Sequence, residues 1–173
     1  HASGVDLNPS AVEFGKARGL DLRTAALEDE SLDAGGFDAI SLFDVLEHLP
    51  HPGPITARAA ALLRPGGILF LYVPNYDSAS RLLMGKHAHF IWPTHHLNYY
   101  TPRTLTDFLA RHHLEVAWLA TEGLDFVDYL WYRKEILQEP SDALEQHLDT
   151  LQFLANAGGY GKNLRAIARK REV

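Results

Sequence analysis

The run Phe37 to Phe43 narrows the choice of fold more than any other stretch of the chain. Phe37, Ala39, Ile40, Leu42 and Phe43 are apolar. A near-continuous apolar run of this length suits a strand covered on both faces, as in a parallel sheet. It then breaks into an acidic turn, Asp44-Val45-Leu46-Glu47-His48, placed where the strand's carboxyl end falls. In open α/β sheets that edge is where ligands bind. Asp44, Glu47 and His48 are spaced i, i+3, i+4, so one helical turn would carry all three on one side. The spacing therefore predicts polar chemistry concentrated at the end of a buried strand.

What surrounds that point is ordinary in bulk. At 173 residues the chain is long enough for a real core, and one domain is expected. The net charge of −6 argues against a nucleic-acid footprint. Only Arg165 to Arg171 is basic, and it alternates like a strand. No apolar run approaches a membrane span, so no membrane insertion is expected. The absence of cysteine excludes disulfides and thiolate metal sites and fits a reducing compartment, hence a cytoplasmic setting.

Taken in order, Ala2 to Leu7 reads as a short strand ending in Asp6. Asn8 is then a good helix cap, Pro9 a good first residue, and Gly19 is placed to stop the helix in the left-handed conformation. Leu20 to Leu27 predicts a weak strand, followed by the acidic loop Glu28-Asp29-Glu30 and a Gly35-Gly36 turn. After the organising run, Pro50 to Pro54 punctuates the chain. A short helix is expected over Ile55 to Leu63, ended by Arg64-Pro65-Gly66-Gly67. Ile68 to Val73 is another buried strand. Helices alternating with apolar strands give α/β.

Pro74 to Tyr100 shows no clear periodicity but holds His87, His89, His95 and His96 with Phe90, Trp92, Tyr99 and Tyr100. Long irregular segments in compact domains are commonly lids or binding loops. Thr101-Pro102 opens a helix with Leu105, Phe108 and Leu109 on its apolar stripe, closed at His112-His113. Leu114 to Ala120 is a strand. Two runs of helical spacing follow, one through Phe126, Tyr129, Leu130 and Arg133, the other through Leu144, Leu148, Leu151 and Leu154. The leucine stripe is expected to be core rather than a dimer seam. A glycine turn at Gly158 to Gly161 leads to a last strand, Leu164 to Ala168.

Four segments together resemble the class I S-adenosylmethionine-dependent methyltransferases, in particular the small-molecule group related to ubiquinone-biosynthesis O-methyltransferases. They are GVDLNPSAVEFGKARG, FDAISLFDVLEHLPHP, LLRPGGILFLYVPN and HHLNYYTPRTLTDFLARHHLEV, with NLRAIARK resembling that fold's antiparallel last strand. The resemblance implies a Rossmann-like sheet and a small-molecule methyl acceptor. The family's first strand ends in a G-x-G-x-G loop that this sequence does not contain. The resemblance therefore implies a sheet lacking its first strand and helix, the C-terminal part of a methyltransferase. Residues 1–74 would be the incomplete cofactor-binding part and 75–100 a substrate loop. Residues 101–173 would be a helix-strand part with a helical insertion at 124–157 and a homodimer contact through its helices.

For the cofactor, S-adenosyl-L-methionine, the resemblance implies that Asp6 takes the ribose hydroxyls and Leu7 packs on the adenine. It puts Leu27 and Glu28 beside the adenine edge, with Ala26 where many relatives carry an Asp. Leu42, Phe43 and Asp44 would line the cofactor near the transferred methyl. His48, and after it His96, are the expected bases for a hydroxyl acceptor, since imidazole titrates near neutral pH. Trp92, His95, Tyr99 and Tyr100 would form the acceptor pocket. No metal is expected; the alternative is a divalent ion on Asp44, Glu47 and His48, the turn some quinone-type relatives use. Two other readings stay open, a non-catalytic methyltransferase-like binding module and a nicotinamide-binding domain that uses Asp6.

Overall fold

The computed structural model describes residues 1–28 and 35–171, and the expectations for Asp29 and Glu30 lie outside them. The first unit is β1 (Gly4–Asp6), α1 (Pro9–Lys16) and β2 (Leu22–Thr24). Asn8 caps α1 by accepting hydrogen bonds from the backbone N–H groups of Ser10 and Ala11 at 3.0 and 3.4 Å. Gly19 closes it at φ +81°, a conformation that costs glycine little. β1 and β2 then pair in parallel, Gly4 with Leu22 and Asp6 with Thr24. β2 is shorter than the strand expected over Leu20 to Leu27, because Leu20 is drawn back to cap α1 through its N–H to the Gly15 carbonyl at 3.2 Å.

The second sheet has the order β3–β4–β6–β5, built from β3 (Phe37–Phe43), β4 (Leu63–Pro74), β5 (Leu114–Glu122) and β6 (Asn163–Lys170). β3 and β4 are parallel, whereas β6 runs antiparallel to both β4 and β5. Among the described residues β1–β2 and β3–β4–β6–β5 are separate sheets. β4 starts earlier than its apolar run: it continues straight from α2 (Pro52–Leu62), and Arg64 to Gly67 becomes an irregular part of the strand instead of a turn. α2 likewise begins at Pro52 rather than Ile55. Proline lacks an N–H to lose in a first helical turn, so Pro52 and Pro54 start the helix that they were expected to delay.

Register decides what is buried. Leu69, Leu71 and Val73 of β4 stand opposite Ala168, Ala166 and Leu164 of β6. All six are at most 2% exposed, and they pack with Ile55 and Ala59 of α2 and Leu105 and Leu109 of α4 (Pro102–Ala110). The alternate residues face the other way. Phe70 and Tyr72 of β4 lie beside Ile167 and Arg165 of β6, with Phe43 and Trp118 flanking them on β3 and β5. They line an open groove of about 750 Å³. The expectation that the β3 run is covered on both faces is thus corrected: of its residues only Leu42 is buried, and Phe43 is 58% exposed.

Two further differences concern helices. The segment from Pro74 to Tyr100 contains α3 (Ala79–Met84), capped by the Ser78 hydroxyl, and a 3-10 turn at Gly85–His87. Leu82 and Leu83 of α3 are exposed, so no apolar stripe announces it. Residues 124–157, the expected insertion, contain α5 (Asp125–Trp131), a π-helical extension Tyr132–Leu137, α6 (Asp142–Glu145) and α7 (Leu148–Ala157). α7 packs through Ala155 and Gln152 rather than its leucines: Leu154 is 58% exposed and Leu148 and Leu151 half-buried, which corrects the expectation that this stripe is core. Asp125, fully buried, ties the insertion down. Its carboxylate accepts from Ser80 N, Lys162 N and Gln152 Nε2 at 3.0, 2.8 and 3.0 Å. Beside it Gly123 passes so close to Lys162 that a Cβ there would sit 2.4 Å from the lysine Cβ.

Candidate active site

The site begins where β3 ends. Asp44 turns the chain at φ +52° while its N–H still donates to the Tyr72 carbonyl at 2.9 Å. Asn and Asp enter this left-handed region more readily than most side chains. The next residues form a single 3-10 turn, Leu46–His48, with Leu46 fully buried under the sheet. The tight turn carries Glu47 inward, to 1% exposure, and leaves His48 at the surface.

The aromatic loop closes over this turn. N–H groups of Leu97 and Asn98 donate to the Glu47 carbonyl at 2.6 and 3.1 Å. The Asn98 amide donates to the carbonyls of Leu46 and Leu49 at 3.1 and 2.6 Å. His48 Nδ1 lies 2.8 Å from the His95 carbonyl, and His96 Nδ1 2.7 Å from the Phe90 carbonyl. A carbonyl only accepts, so each ring donates through Nδ1–H, and its neutral tautomer presents Nε2 as an acceptor. The two rings meet edge to face with centroids 4.9 Å apart. The two histidines expected as bases, 48 positions apart in sequence, are thus brought together.

Glu47 completes the cluster. Its Oε1 lies 3.9 Å from His48 Nε2, and its buried Oε2 has no hydrogen-bond partner among the described residues. Burial raises the carboxyl pKa above its usual value and Asp44 adds to the rise, against a backbone hydrogen bond and the pull of His48. Tyr100 is pushed up to about 12, first by burial and then by the charge of Glu47. Among the described residues Glu47, His48 and His96 each offer one ligand atom within 4.8 Å of the others. One carboxylate and two imidazoles held by carbonyls at Nδ1 would suit a divalent cation. Asp44, the third member of the alternative metal set, is not in this group, and His96 stands in it instead.

The remaining expected residues fall into groups. Asp6 is exposed at the end of β1, with Oδ1 accepting from Asn8 N at 2.7 Å, and Leu7 beyond it is 75% exposed. Leu27 packs on the edge of the core and Glu28 is exposed. Trp92 and His95 stack on each other with centroids 3.8 Å apart, and Tyr99 packs between Tyr76 and Phe90. Tyr100 is 7% exposed and packs on Phe108 in the main core, its hydroxyl without a hydrogen-bond partner among the described residues. Sequence reasoning does not single out Asn98, because its two acceptors lie 52 and 49 positions away and no local pattern marks a contact of that range.

Comparison with known proteins adds the following. A family model described as "Methyltransferase domain" matches residues 1–118. The ubiquinone biosynthesis O-methyltransferase of Xanthomonas axonopodis pv. citri (strain 306) is 33% identical over 138 residues, covering 73% of this chain and 54% of that protein. The chain therefore spans about half the length of the curated relatives it matches. Among solved structures, a SAM-dependent methyltransferase from Thermotoga maritima, described as a possible histamine N-methyltransferase, superposes with a TM-score of 0.67 at 15% identity, over 98% of this chain and 72% of that one. The 1,6-didemethyltoxoflavin-N1-methyltransferase of Burkholderia thailandensis, solved with 1,6-didemethyltoxoflavin and S-adenosylhomocysteine, gives 0.57 at 19% identity, over 98% and 61%. At these identities the two structures speak for a shared Rossmann-like methyltransferase fold.

Proposed function

The chain belongs to the methyltransferase-domain family, and from that premise we propose that it serves S-adenosylmethionine-dependent transfer of a methyl group to the hydroxyl of a small-molecule acceptor. The observation that carries the reading is His48. It stands at the carboxyl end of a parallel strand, its Nδ1 proton committed to the His95 carbonyl and its Nε2 free beside His96.

The residues present fit the cofactor. Among the described residues Asp6 keeps one carboxylate oxygen uncommitted next to an exposed leucine, a pairing that suits a ribose diol beside an adenine. Phe43 and Asp44 offer a second apolar-and-acidic surface at the end of β3, with Leu42 buried behind them as support. Leu27 and Glu28 follow the short second strand and are assigned to the adenine edge. When bound, S-adenosyl-L-methionine supplies an electrophilic methyl group on a sulfonium. The chain's own part is to place the acceptor oxygen in line and to take its proton.

His48 Nε2 is assigned as the proton acceptor, with His96 as the neighbouring imidazole able to share the charge. The stacked pair Trp92 and His95, with Tyr99, forms the wall that holds an apolar acceptor over the two rings. Tyr100, buried below, supports that wall. Exposed Val127, Trp131 and Phe153 favour homodimer contact through the C-terminal helices. No helix of the described residues is long and apolar enough to cross a membrane.

The test is transfer of labelled methyl to a panel of small hydroxylated aromatics, comparing the native chain with His48→Gln. Loss of a general base lowers kcat by roughly 10²–10⁴-fold with little change in cofactor affinity. Equal rates in the two proteins would remove His48 from the chemistry.

A further inference from the structure

Among the described residues, two of the five hydrogen bonds that join the loop to the strand-end turn come from one side chain, and the Leu97 N–H adds another to the Glu47 carbonyl at 2.6 Å. Asn98 spends both hydrogens of its amide on the carbonyls of Leu46 and Leu49, at 3.1 and 2.6 Å. These two carbonyls bracket Glu47 and His48. The turn is too short to satisfy them internally, as at any helix end. Both partners are acceptors, so the atom facing them is the amide nitrogen. Its own N–H adds a third bond, to Glu47 O at 3.1 Å. Three residues earlier on the same loop, His95 supplies the carbonyl that holds His48 Nδ1.

We propose that Asn98 is a positioning residue for His48: by clamping the turn to the loop it keeps the His95 carbonyl against Nδ1 and so keeps Nε2 free. The clamp acts on His48 through geometry and touches no reacting atom. His96 is independent of it, because the carbonyl that fixes its Nδ1 belongs to Phe90 on the same loop, six positions away. The consequence for catalysis rests on the assignment of His48 as the base; the consequence for the tautomer does not.

The experiment is nitrogen-15 NMR of the histidine rings in chelator-treated protein at about pH 9, where imidazoles are neutral. Native protein is compared with Asn98→Ala and Asn98→Ser. The expected result is a fall of about fivefold in the ratio of Nδ1–H to Nε2–H for His48, the effect of losing one typical hydrogen bond's bias, with His96 unchanged. A folded variant in which the His48 ratio does not move overturns the proposal. So does a parallel shift of His48 and His96, which would mean the loop has come apart as a whole. Failure of both variants to fold would assign Asn98 to folding and overturn it equally. If His48 responds as expected while His48→Gln keeps the full methyl-transfer rate, Asn98 still positions the ring and it is the base assignment that falls.

Discussion

At the scale of single residues, Glu47 is the costliest group in the site. It is buried to 1% exposure with one oxygen unpartnered among the described residues, a situation worth roughly 1–3 kcal/mol against the fold. Its pKa is raised by burial, so its stabilising balance is complete in acid, where it is protonated in both states, and declines as pH rises through the folded value. Glu47→Gln keeps the shape without the charge. The variant should match the native protein near pH 4 and exceed it near pH 8 by on the order of 1 kcal/mol, read from denaturant midpoints. A difference independent of pH would mean that Glu47 has the same pKa in the folded and unfolded chain. A residue kept at such a cost beside two histidines is what a functional site is expected to contain.

At the scale of elements, buried polar groups tie residues 124–157 and the aromatic loop to their neighbours, beside an apolar cluster of Met84, Ala88 and Phe90 on which Tyr99, Tyr129 and Tyr132 pack. Asp125 opens α5 and receives N–H groups from α3 and from the segment before β6, so three elements meet at one carboxylate. Asp125→Ala would strand the Ser80 and Lys162 N–H groups in the interior. It should cost about 3 kcal/mol or more in thermal or denaturant unfolding. A loss below about 1 kcal/mol would mean that packing of α5 and α7 holds the insertion without it. This is also where the sequence stops being legible. Local chemistry marks α1 and α4 clearly, through Asn8 with Pro9 and Thr101 with Pro102. The apolar runs of β3 and β4 are equally plain. The buried role of Asp125 and the outward turn of Leu154 follow from which surfaces meet in space, and helical periodicity cannot separate a packed stripe from an exposed one. The site divides the same way. His48 stands out because it ends a strand, whereas its pairing with His96 and its clamp at Asn98 are long-range contacts.

At the scale of the whole molecule, helices cover one face of the β3–β4–β6–β5 sheet and the other face carries an open, largely apolar groove beside Phe43 and Asp44. Asp6 ends a strand of the other sheet. We propose that these two strand ends together form the cofactor surface. Calorimetric titration of S-adenosylhomocysteine into the native chain and into Asp6→Ala tests it most directly. Micromolar binding that weakens at least about tenfold in the variant, as loss of a charge-assisted pair of hydrogen bonds requires, is the predicted result. A folded native chain that binds nothing, or a variant that binds as tightly as the native one, would contradict it.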